Sequence, residues 1–260
     1  IENGIITSVS IMANGTDWKR ATNFVKAKKI KSFVHLNLSE GESTIEVDNM
    51  SNIITDSNKM LNNNFLGLEF KWLLSSSKKR KMIEDALYSE LISQISRVYS
   101  IEIGNILVDG HEHIHMSPLV FKTLLKIHRK YKIKQFRLSN DILLIRSGYF
   151  LRKYFYKNII KYFVLKFLSI FYRRILDREN IYYDDYCYGI IHSGNISSEL
   201  IKYLKRRTLN KRIIIQVILH PGYARKEEIQ DWKDIKNWAF YNNKNRIIEQ
   251  SIAKDIDLLK

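Results

Sequence analysis

The sequence predicts an α/β fold in which parallel strands alternate with helices, in a sheet that is either open or closed into a barrel. Short apolar runs of strand length alternate with longer stretches of helical period along the chain. One late strand is mostly apolar, as in sheets covered on both faces. The 260 residues, 45% of them apolar, can bury a large core. Because no Gly/Ser-rich or Pro-rich linker interrupts them, we predict a single domain over residues 1–260.

The first half of the chain alternates between strand and helix patterns. Residues 33–38 form a predicted strand, and residues 78–98 form a helix with apolar residues at spacings of three and four. The Asn- and Ser-rich segment 40–76 is predicted to be a long loop. Residues 105–109 are the next strand, and a helix begins at Ser117-Pro118, because Ser suits an N-cap and Pro the first helical position.

The second half repeats the alternation. Strands are predicted over residues 134–138, 188–192 and 212–220, and helices over residues 150–178, 196–206 and 243–259. Residues 212–220 form the mostly apolar strand mentioned above.

The charge of the chain allows several kinds of partner. There are 43 Lys and Arg against 27 Asp and Glu, a formal net charge of +16. No zinc-finger spacing, RNP-type strand or basic region with heptads accompanies it, so we predict no nucleic-acid partner. Residues 151–178 hold eight Lys or Arg and one Asp. This stretch is either an outer helix that covers the sheet or an amphipathic helix in peripheral contact with an anionic membrane.

The single cysteine, Cys187, excludes a disulfide framework and predicts a reducing compartment, the cytoplasm. No apolar run is long enough to span a membrane, and no signal sequence opens the chain. Because residue 1 is Ile rather than Met, we expect the natural N-terminus to lie further upstream.

Five of the seven histidines follow or end predicted strands: His35, His111, His113, His115 and His220. In parallel α/β folds, the loops at the carboxyl ends of the strands form the active-site face. We therefore expect these histidines to share one face of the sheet.

The segment DGHEHIHMSP, which begins at Asp109, carries three of them. Neutral imidazole is a common ligand of zinc-type metals, and a neighbouring carboxylate can bind or orient it. On an extended chain, His111, His113 and His115 would share one side, whereas on a helix only His111 and His115 would. The alternative is a surface cluster without a resident metal.

His35 and His220 each allow two interpretations. His35 shares its strand face with Phe33 and Asn37, and it is either a metal ligand or a hydrogen-bonded structural residue. His220 ends a strand before Pro-Gly, and it is either a general acid or base or a strand-end residue.

Several blocks in order resemble the YdjC-like carbohydrate deacetylases, also called the ChbG/HpnK family. These are GIITSVSIMANG from Gly4, HLNLSEG from His35, DGHEHIHMSP from Asp109, GIIHSG from Gly189 and HPGY from His220. Arg246 and Glu249 are similar to a late Arg-x-x-Glu helix of that family. The resemblance implies a TIM-like (β/α) barrel with parallel strands and a hydrolase that removes acetyl groups from N-acetylated sugars, typically chitooligosaccharides or related glycans.

The resemblance also implies a divalent metal ion, Mg or Zn, held by one Asp and two His. The matching ligands here are His35 and His111. Around them, residues that orient the ligands or bind substrate are expected, namely Asp109, His113, His115 and Asn37, with His115 as the alternative ligand. His220 is the expected acid for the departing amine. Arg137 is expected to orient the base or stabilise the oxyanion.

Three departures from the family pattern are visible. An Asp-Asp pair that supplies a metal ligand and the base is expected upstream of Ile1, and Asp17 and Asp48 lie in no comparable context. Gln216 stands where an acidic residue usually precedes the His-Pro-Gly element. A final strand is expected beyond Lys260. We therefore expect a barrel truncated at its N-terminus and a chain that lacks part of its catalytic machinery.

Other functions remain open at this point. One is a catalytically incomplete relative that binds carbohydrates or associates with anionic membrane surfaces, and another is a NodB-type polysaccharide deacetylase. The family further suggests a homodimer.

Overall fold

The computed structural model describes residues 4–45, 51–99, 105–144, 155–222, 242–255 and 258. The chain divides into two compact units. The N-terminal unit is Ser8–Phe136, and the C-terminal unit combines Ile1–Thr7 with Arg137–Lys260.

The N-terminal unit alternates strands and helices. Its strands are β1 (Ser8–Ile11), β2 (Lys31–Leu36), β3 (Ile106–Gly110) and β4 (Ile133–Phe136). Its helices are α1 (Trp18–Ala27), α2 (Phe65–Leu73), α3 (Ser77–Val98) and α4 (Pro118–Tyr131). Short 3-10 helices cover Ser51–Ile53 and His111–Met116.

The four strands form one parallel sheet in the order β1-β2-β3-β4. Parallel neighbours need crossover connections, which the helices supply. The register pairs Val34 with Val108, His35 with Asp109 and Leu36 with Gly110. The carboxyl ends of β2 and β3 therefore lie side by side, and two residues singled out in the sequence become direct neighbours.

Helix α3 packs its apolar face into the core of this unit. Ile83, Leu87, Leu91 and Ile95 are fully buried, which matches the spacing seen in the sequence. The helix begins after Ser76, whose side chain accepts a hydrogen bond from the Lys79 amide and so caps the first turn.

Among the residues that the structure describes, the C-terminal unit has two further strands and three helices. These are α5 (Phe155–Arg178), β5 (Tyr186–Tyr188), α6 (Ser198–Thr208), β6 (Ile215–Val217) and a last helix, α7 (Asn245–Lys254). Strands β5 and β6 pair in parallel, with Cys187 opposite Gln216. The predicted α/β class with parallel strands is confirmed, although the described strands form two sheets rather than a closed ring.

Several predicted elements need correction. Segment 40–76 is not a continuous loop, since α2 lies within it. The predicted strand 188–192 ends at Tyr188, because the chain turns at Gly189 with a φ of +126°. The predicted strand 212–220 is three residues long and only half-buried, so its apolar sequence overstates its burial. Strand β1 and helix α1 were not predicted.

Other predicted elements are confirmed within a few residues, including the helix that begins at Pro118. Residues 150–154, at the start of the long basic helix, lie outside the described residues. Among the described helices, none is both long and apolar enough to cross a membrane.

Candidate functional site

A buried carboxylate links the carboxyl ends of three strands in the N-terminal unit. Asp109 on β3 has no exposed surface. Its Oδ1 lies 2.9 Å from His35 Nδ1, and its Oδ2 accepts a 2.6 Å hydrogen bond from Ser10 Oγ on β1. An ionised carboxylate can only accept, so with Asp109 ionised this contact places a proton on His35 Nδ1, and the neutral form of His35 then has an unprotonated Nε2.

His111, the first residue after β3, lies next to this pair. Its ring meets the His35 ring edge to face, with the centroids 5.6 Å apart. Its Nε2 is buried and lies 3.1 Å from Glu40 Oε1, within ion-pair distance, although the two atoms form no hydrogen bond. Two imidazoles and two carboxylates, those of Asp109 and Glu40, are thus concentrated at the ends of β2 and β3.

Glu40 is held in place by the turn that follows β2. Asn37 is fully buried, and its Oδ1 accepts from the Ser39 amide, while its Nδ2 donates to the carbonyl oxygen of Glu40 at 2.7 Å. Gln94 on α3 bonds both backbone groups of Asn37. The side chain of Asn37 is therefore engaged within the protein, and in this structure it shapes the turn that carries Glu40.

The residues after His111 form a tight and irregular turn. Glu112 and His113 both have positive φ values, 49° and 63°, which non-glycine residues rarely adopt. The segment is neither of the alternatives predicted for the three histidines, since the strand stops at Gly110 and a 3-10 helix follows. His115 is fully buried, with its ring 5.0 Å from that of Phe136.

Glu69 on α2 anchors the end of this turn. One of its carboxylate oxygens accepts hydrogen bonds from the Ser117 hydroxyl and, at 2.8 Å, from the Leu119 amide. Ser117 occupies the predicted N-cap position of α4, but its own side chain does not cap the helix. Glu69 caps α4 instead, and its negative charge stabilises the helix because it lies at the positive end of the helix dipole.

His35 and His111 can supply two ligands to a divalent metal ion, which is fewer than such an ion needs. A histidine that donates its Nδ1 proton to a carboxylate is the usual arrangement of a metal-binding imidazole, because the carboxylate fixes the ring and leaves Nε2 available. The buried Nε2 of His111, which makes no hydrogen bond, is a second suitable donor. Among the described residues, however, no three His, Cys, Asp or Glu side chains are grouped as a metal site.

His220 lies in the C-terminal unit and is fixed through its backbone. Its amide donates a 2.5 Å hydrogen bond to Glu249 Oε2, and its carbonyl oxygen accepts from Arg246 Nε at 3.0 Å. Glu249 is fully buried and also accepts from the Ile196 amide. Burial raises the pKa of Glu249, and the His220 and Ile196 amides and the Arg246 charge oppose that rise.

Arg137, the other predicted catalytic residue of this unit, bonds the residue that departs from the family pattern. Its Nε donates a 2.7 Å hydrogen bond to Gln216 Oε1 on β6. An amide oxygen can accept this bond as a carboxylate oxygen would, although it brings no charge. Gln216 thus keeps the contact to Arg137 without the ion pair that an acidic residue would form.

Asp141 is a buried carboxylate that sequence reasoning did not single out. Its two oxygens accept hydrogen bonds from the backbone amides of Ile142, Gly189, Ile190 and Ile191. Burial raises the pKa of Asp141 to about 6, although these amides lower it. Asp141 therefore organises the loop after β5, the part of the chain in which the Gly-Ile-Ile-His-Ser-Gly block lies.

The structure brings His35, Asp109 and His111 together, and it places His113 and His115 directly after them. It adds Ser10 and Glu40, which the sequence could have indicated only as polar residues that end or follow a strand. Asp17 is exposed and pairs with Arg20, and Asp48 lies outside the described residues.

Comparisons with known proteins agree with these motifs. A family model described as YdjC-like protein matches residues 1–259. The carbohydrate deacetylase of Mus musculus is 28% identical over 142 residues, which cover 53% of this chain and 43% of the mouse protein. The matched part is thus less than half of that relative's length.

A solved structure shows the same fold. It is that of a candidate cellobiose-phosphate cleavage protein from Enterococcus faecalis V583, with a TM-score of 0.63 and 16% sequence identity over 99% of this chain and 83% of that one. At this identity the likeness concerns the fold, and it supports the predicted class.

Proposed function

This chain belongs to the YdjC-like protein family, and from that premise we propose that it is a carbohydrate deacetylase. The proposed reaction is the hydrolysis of the acetamido group of an N-acetylated sugar, of chitooligosaccharide or related type, which yields acetate and an amino sugar. A curated relative that carries the name carbohydrate deacetylase supports this proposal.

One observation carries the proposal at the level of the site: His35 and Asp109 form a bonded pair across two strand ends, next to the buried Nε2 of His111. In the proposal, His35 and His111 hold a magnesium or zinc ion. A bound ion of this kind polarises an amide carbonyl and makes water a better nucleophile. Asp109 keeps His35 in the required tautomer, and Glu40 lies beside His111 as a further oxygen donor or as an orienting group.

The residues of the C-terminal unit have complementary proposed roles. The amide nitrogen must gain a proton as it leaves, and we assign this proton to the imidazole of His220. Glu249 accepts from the amide of His220 and Arg246 donates to its carbonyl oxygen. These two bonds fix the backbone position from which the imidazole projects. Arg137 is assigned to charge stabilisation at the acetyl oxygen.

The decisive experiment measures acetate release from N,N′-diacetylchitobiose by the purified full-length protein that includes this chain, before and after chelation and after re-addition of Mg²⁺ or Zn²⁺. We expect chelation to abolish release and one of the two ions to restore it. His35→Ala and His111→Ala should lose both activity and bound metal. His128→Asn is the matched control, since His128 lies on α4 and bonds only a backbone carbonyl among the contacts that the structure describes.

Two results would count against the proposal. Acetate release that survives complete chelation excludes the metal role, and release that survives in His111→Ala excludes the ligand assignment. Saturable sugar binding without any acetate release would favour the carbohydrate-binding alternative. The assignment of His220 is tested separately, because His220→Ala should retain metal but lose most of the activity.

A further inference from the structure

Helix α5 is apolar on two opposite faces. Its inner face packs on its own unit, with Leu165 and Leu176 buried, and Asn158 Nδ2 donates to the carbonyl oxygen of Ile191. Its outer face carries six apolar side chains that are 41–66% exposed in the part of the chain that the structure describes: Ile160, Phe163, Val164, Phe167, Ile170 and Phe171. A helix that is apolar all round is normally covered on both sides.

The six residues form one continuous stripe, because they follow each other at spacings of three and four. Three aromatic and three aliphatic side chains exposed to this degree present on the order of 600 Å² of apolar surface. A patch of this size lies at the upper end of what a soluble monomer exposes, and patches of that size are often interaction surfaces. We therefore expect the stripe to be covered by a partner that is at least partly apolar.

The charge of the surroundings indicates which partner. Helix α5 has six Lys or Arg and a single acidic residue, Asp177, and the C-terminal unit has 24 Lys and Arg against 14 Asp and Glu, a net charge of +10. Arg174 and Arg178 are exposed and continue the line of Phe167 and Phe171 at the same spacing. A second copy of the chain would bring two positive helices together, whereas an anionic surface is complementary to them.

We propose that α5 binds the surface of membranes that contain anionic phospholipids. The aromatic and aliphatic stripe enters the boundary between headgroups and acyl chains, and Arg174 and Arg178 contact the lipid phosphates. With six basic residues the helix lies along the surface instead of crossing it, in keeping with the described helices, none of which could span a bilayer. This proposal is independent of the deacetylase proposal, since it uses none of the site residues.

The test is flotation of the full chain with vesicles of phosphatidylcholine alone and of phosphatidylcholine with 30% phosphatidylglycerol. We expect binding to the anionic vesicles at low salt and its loss at 0.5 M NaCl. Phe167→Ser should weaken partition by about tenfold. Arg174→Gln with Arg178→Gln should weaken it by about 25-fold, since each basic side chain contributes about fivefold.

Phe70→Ser is the matched control, since Phe70 on α2 is 58% exposed but lies on no comparable basic helix. It should bind as the wild type does. The proposal is wrong if anionic vesicles do not bind the wild type at low salt, or if Phe70→Ser and Phe167→Ser lose binding equally. A dimer in solution that Phe167→Ser converts to a monomer would also overturn it, because a second copy would then cover the stripe.

Discussion

His35 Nδ1 and Asp109 Oδ1 lie 2.9 Å apart, and the two residues are register partners on neighbouring parallel strands. Residues paired in this way project side chains to the same face, so the backbone register itself forms the contact. The second oxygen of Asp109 is taken by Ser10 Oγ. A fully buried carboxylate thereby gains two side-chain partners, which offset the cost of removing it from water.

The first prediction concerns this pair. In Asp109→Asn, only one oxygen is left to accept from His35 or from Ser10, and His35 loses the negative charge of its carboxylate partner in either case. We expect the affinity for the proposed metal to fall by about 10- to 100-fold, as is typical when the partner of a metal-binding histidine is lost. Metal content after dialysis and acetate release measure the change. Ser10→Ala removes only the bond from Ser10 to Asp109 and should keep the metal affinity within a few fold. Equal losses in both variants would contradict the proposal that Asp109 acts through His35.

The second prediction concerns the turn that carries Glu40. Asn37→Ala removes a buried side chain that bonds three backbone groups, those of Ser39 and Glu40. We expect the free energy of unfolding to fall by about 2–3 kcal/mol, because these groups lose their partners. Deacetylase activity should fall as well, since Glu40 loses its fixed position next to His111. Urea denaturation and acetate release measure the two effects.

Asn64→Ala is the matched control for this variant. Asn64 is exposed and caps α2 by accepting from the Gly67 amide. Its loss should cost about 1 kcal/mol and leave acetate release unchanged. If Asn37→Ala behaves like Asn64→Ala in both measurements, Asn37 does not position the site.

The sequence could predict the histidine cluster because strand ends and turn residues leave a local pattern. The apolar runs place His35 within one strand and Asp109 at the end of another, and parallel topology then puts the carboxyl ends of both strands at one edge. Glu40 and Ser10 could not be predicted in the same way. Their roles depend on the register of three strands and on the turn that Asn37 organises, which are long-range properties.

Two further features, the strand at 212–220 and the role of Asp141, depend on burial, which the local sequence does not show. The run 212–220 is apolar enough for a central strand, yet β6 is short and half-buried, because composition does not show what covers a strand. In the same way, Asp141 has no local signal. Its importance comes from backbone amides that lie about 50 positions further along the chain.

The third prediction uses the contact between Arg137 and Gln216. Gln216→Glu would turn a hydrogen bond from the Arg137 cation to a neutral amide oxygen into an ion pair. We expect the unfolding free energy at pH 7 to rise by about 0.5–1 kcal/mol, since the negative charge adds Coulomb attraction to the existing hydrogen bond. In an Arg137→Gln background the same substitution should bring no gain. A gain of equal size in both backgrounds would show that the stabilisation does not pass through Arg137.

The fourth prediction concerns the pH dependence of stability. Burial raises the pKa of Asp141 to about 6 from its ordinary value of 3.8, so the folded state binds the proton more tightly than the unfolded state. This contribution to stability is complete below about pH 4 and is lost as the pH rises through about 6. Asp141→Asn does not titrate. The unfolding free energy of the wild type minus that of Asp141→Asn should therefore fall by on the order of 2–3 kcal/mol between pH 4 and pH 7.

Urea denaturation of both proteins at closely spaced pH values measures this difference. Only the difference is informative, because other carboxylates titrate over the same range and cancel between the two proteins. A difference that stays level, or that increases with pH, would contradict the raised pKa.

The last prediction concerns the space beside Gly110. A Cβ atom there would lie 2.7 Å from His115 Nδ1 and 2.9 Å from the His115 backbone nitrogen. The φ of Gly110 is −157°, which any residue adopts, so the constraint is close packing and not backbone conformation. Because a backbone atom cannot rotate away, Gly110→Ala should displace the turn after β3 and cost about 1–3 kcal/mol of unfolding free energy. Gly15→Ala, whose Cβ would come no closer than 3.3 Å to the Met12 carbonyl oxygen, should cost less. Thermal unfolding of both variants measures the difference. If Gly110→Ala were as stable as Gly15→Ala, His115 would be able to move away from the added Cβ atom without cost, which would contradict the prediction.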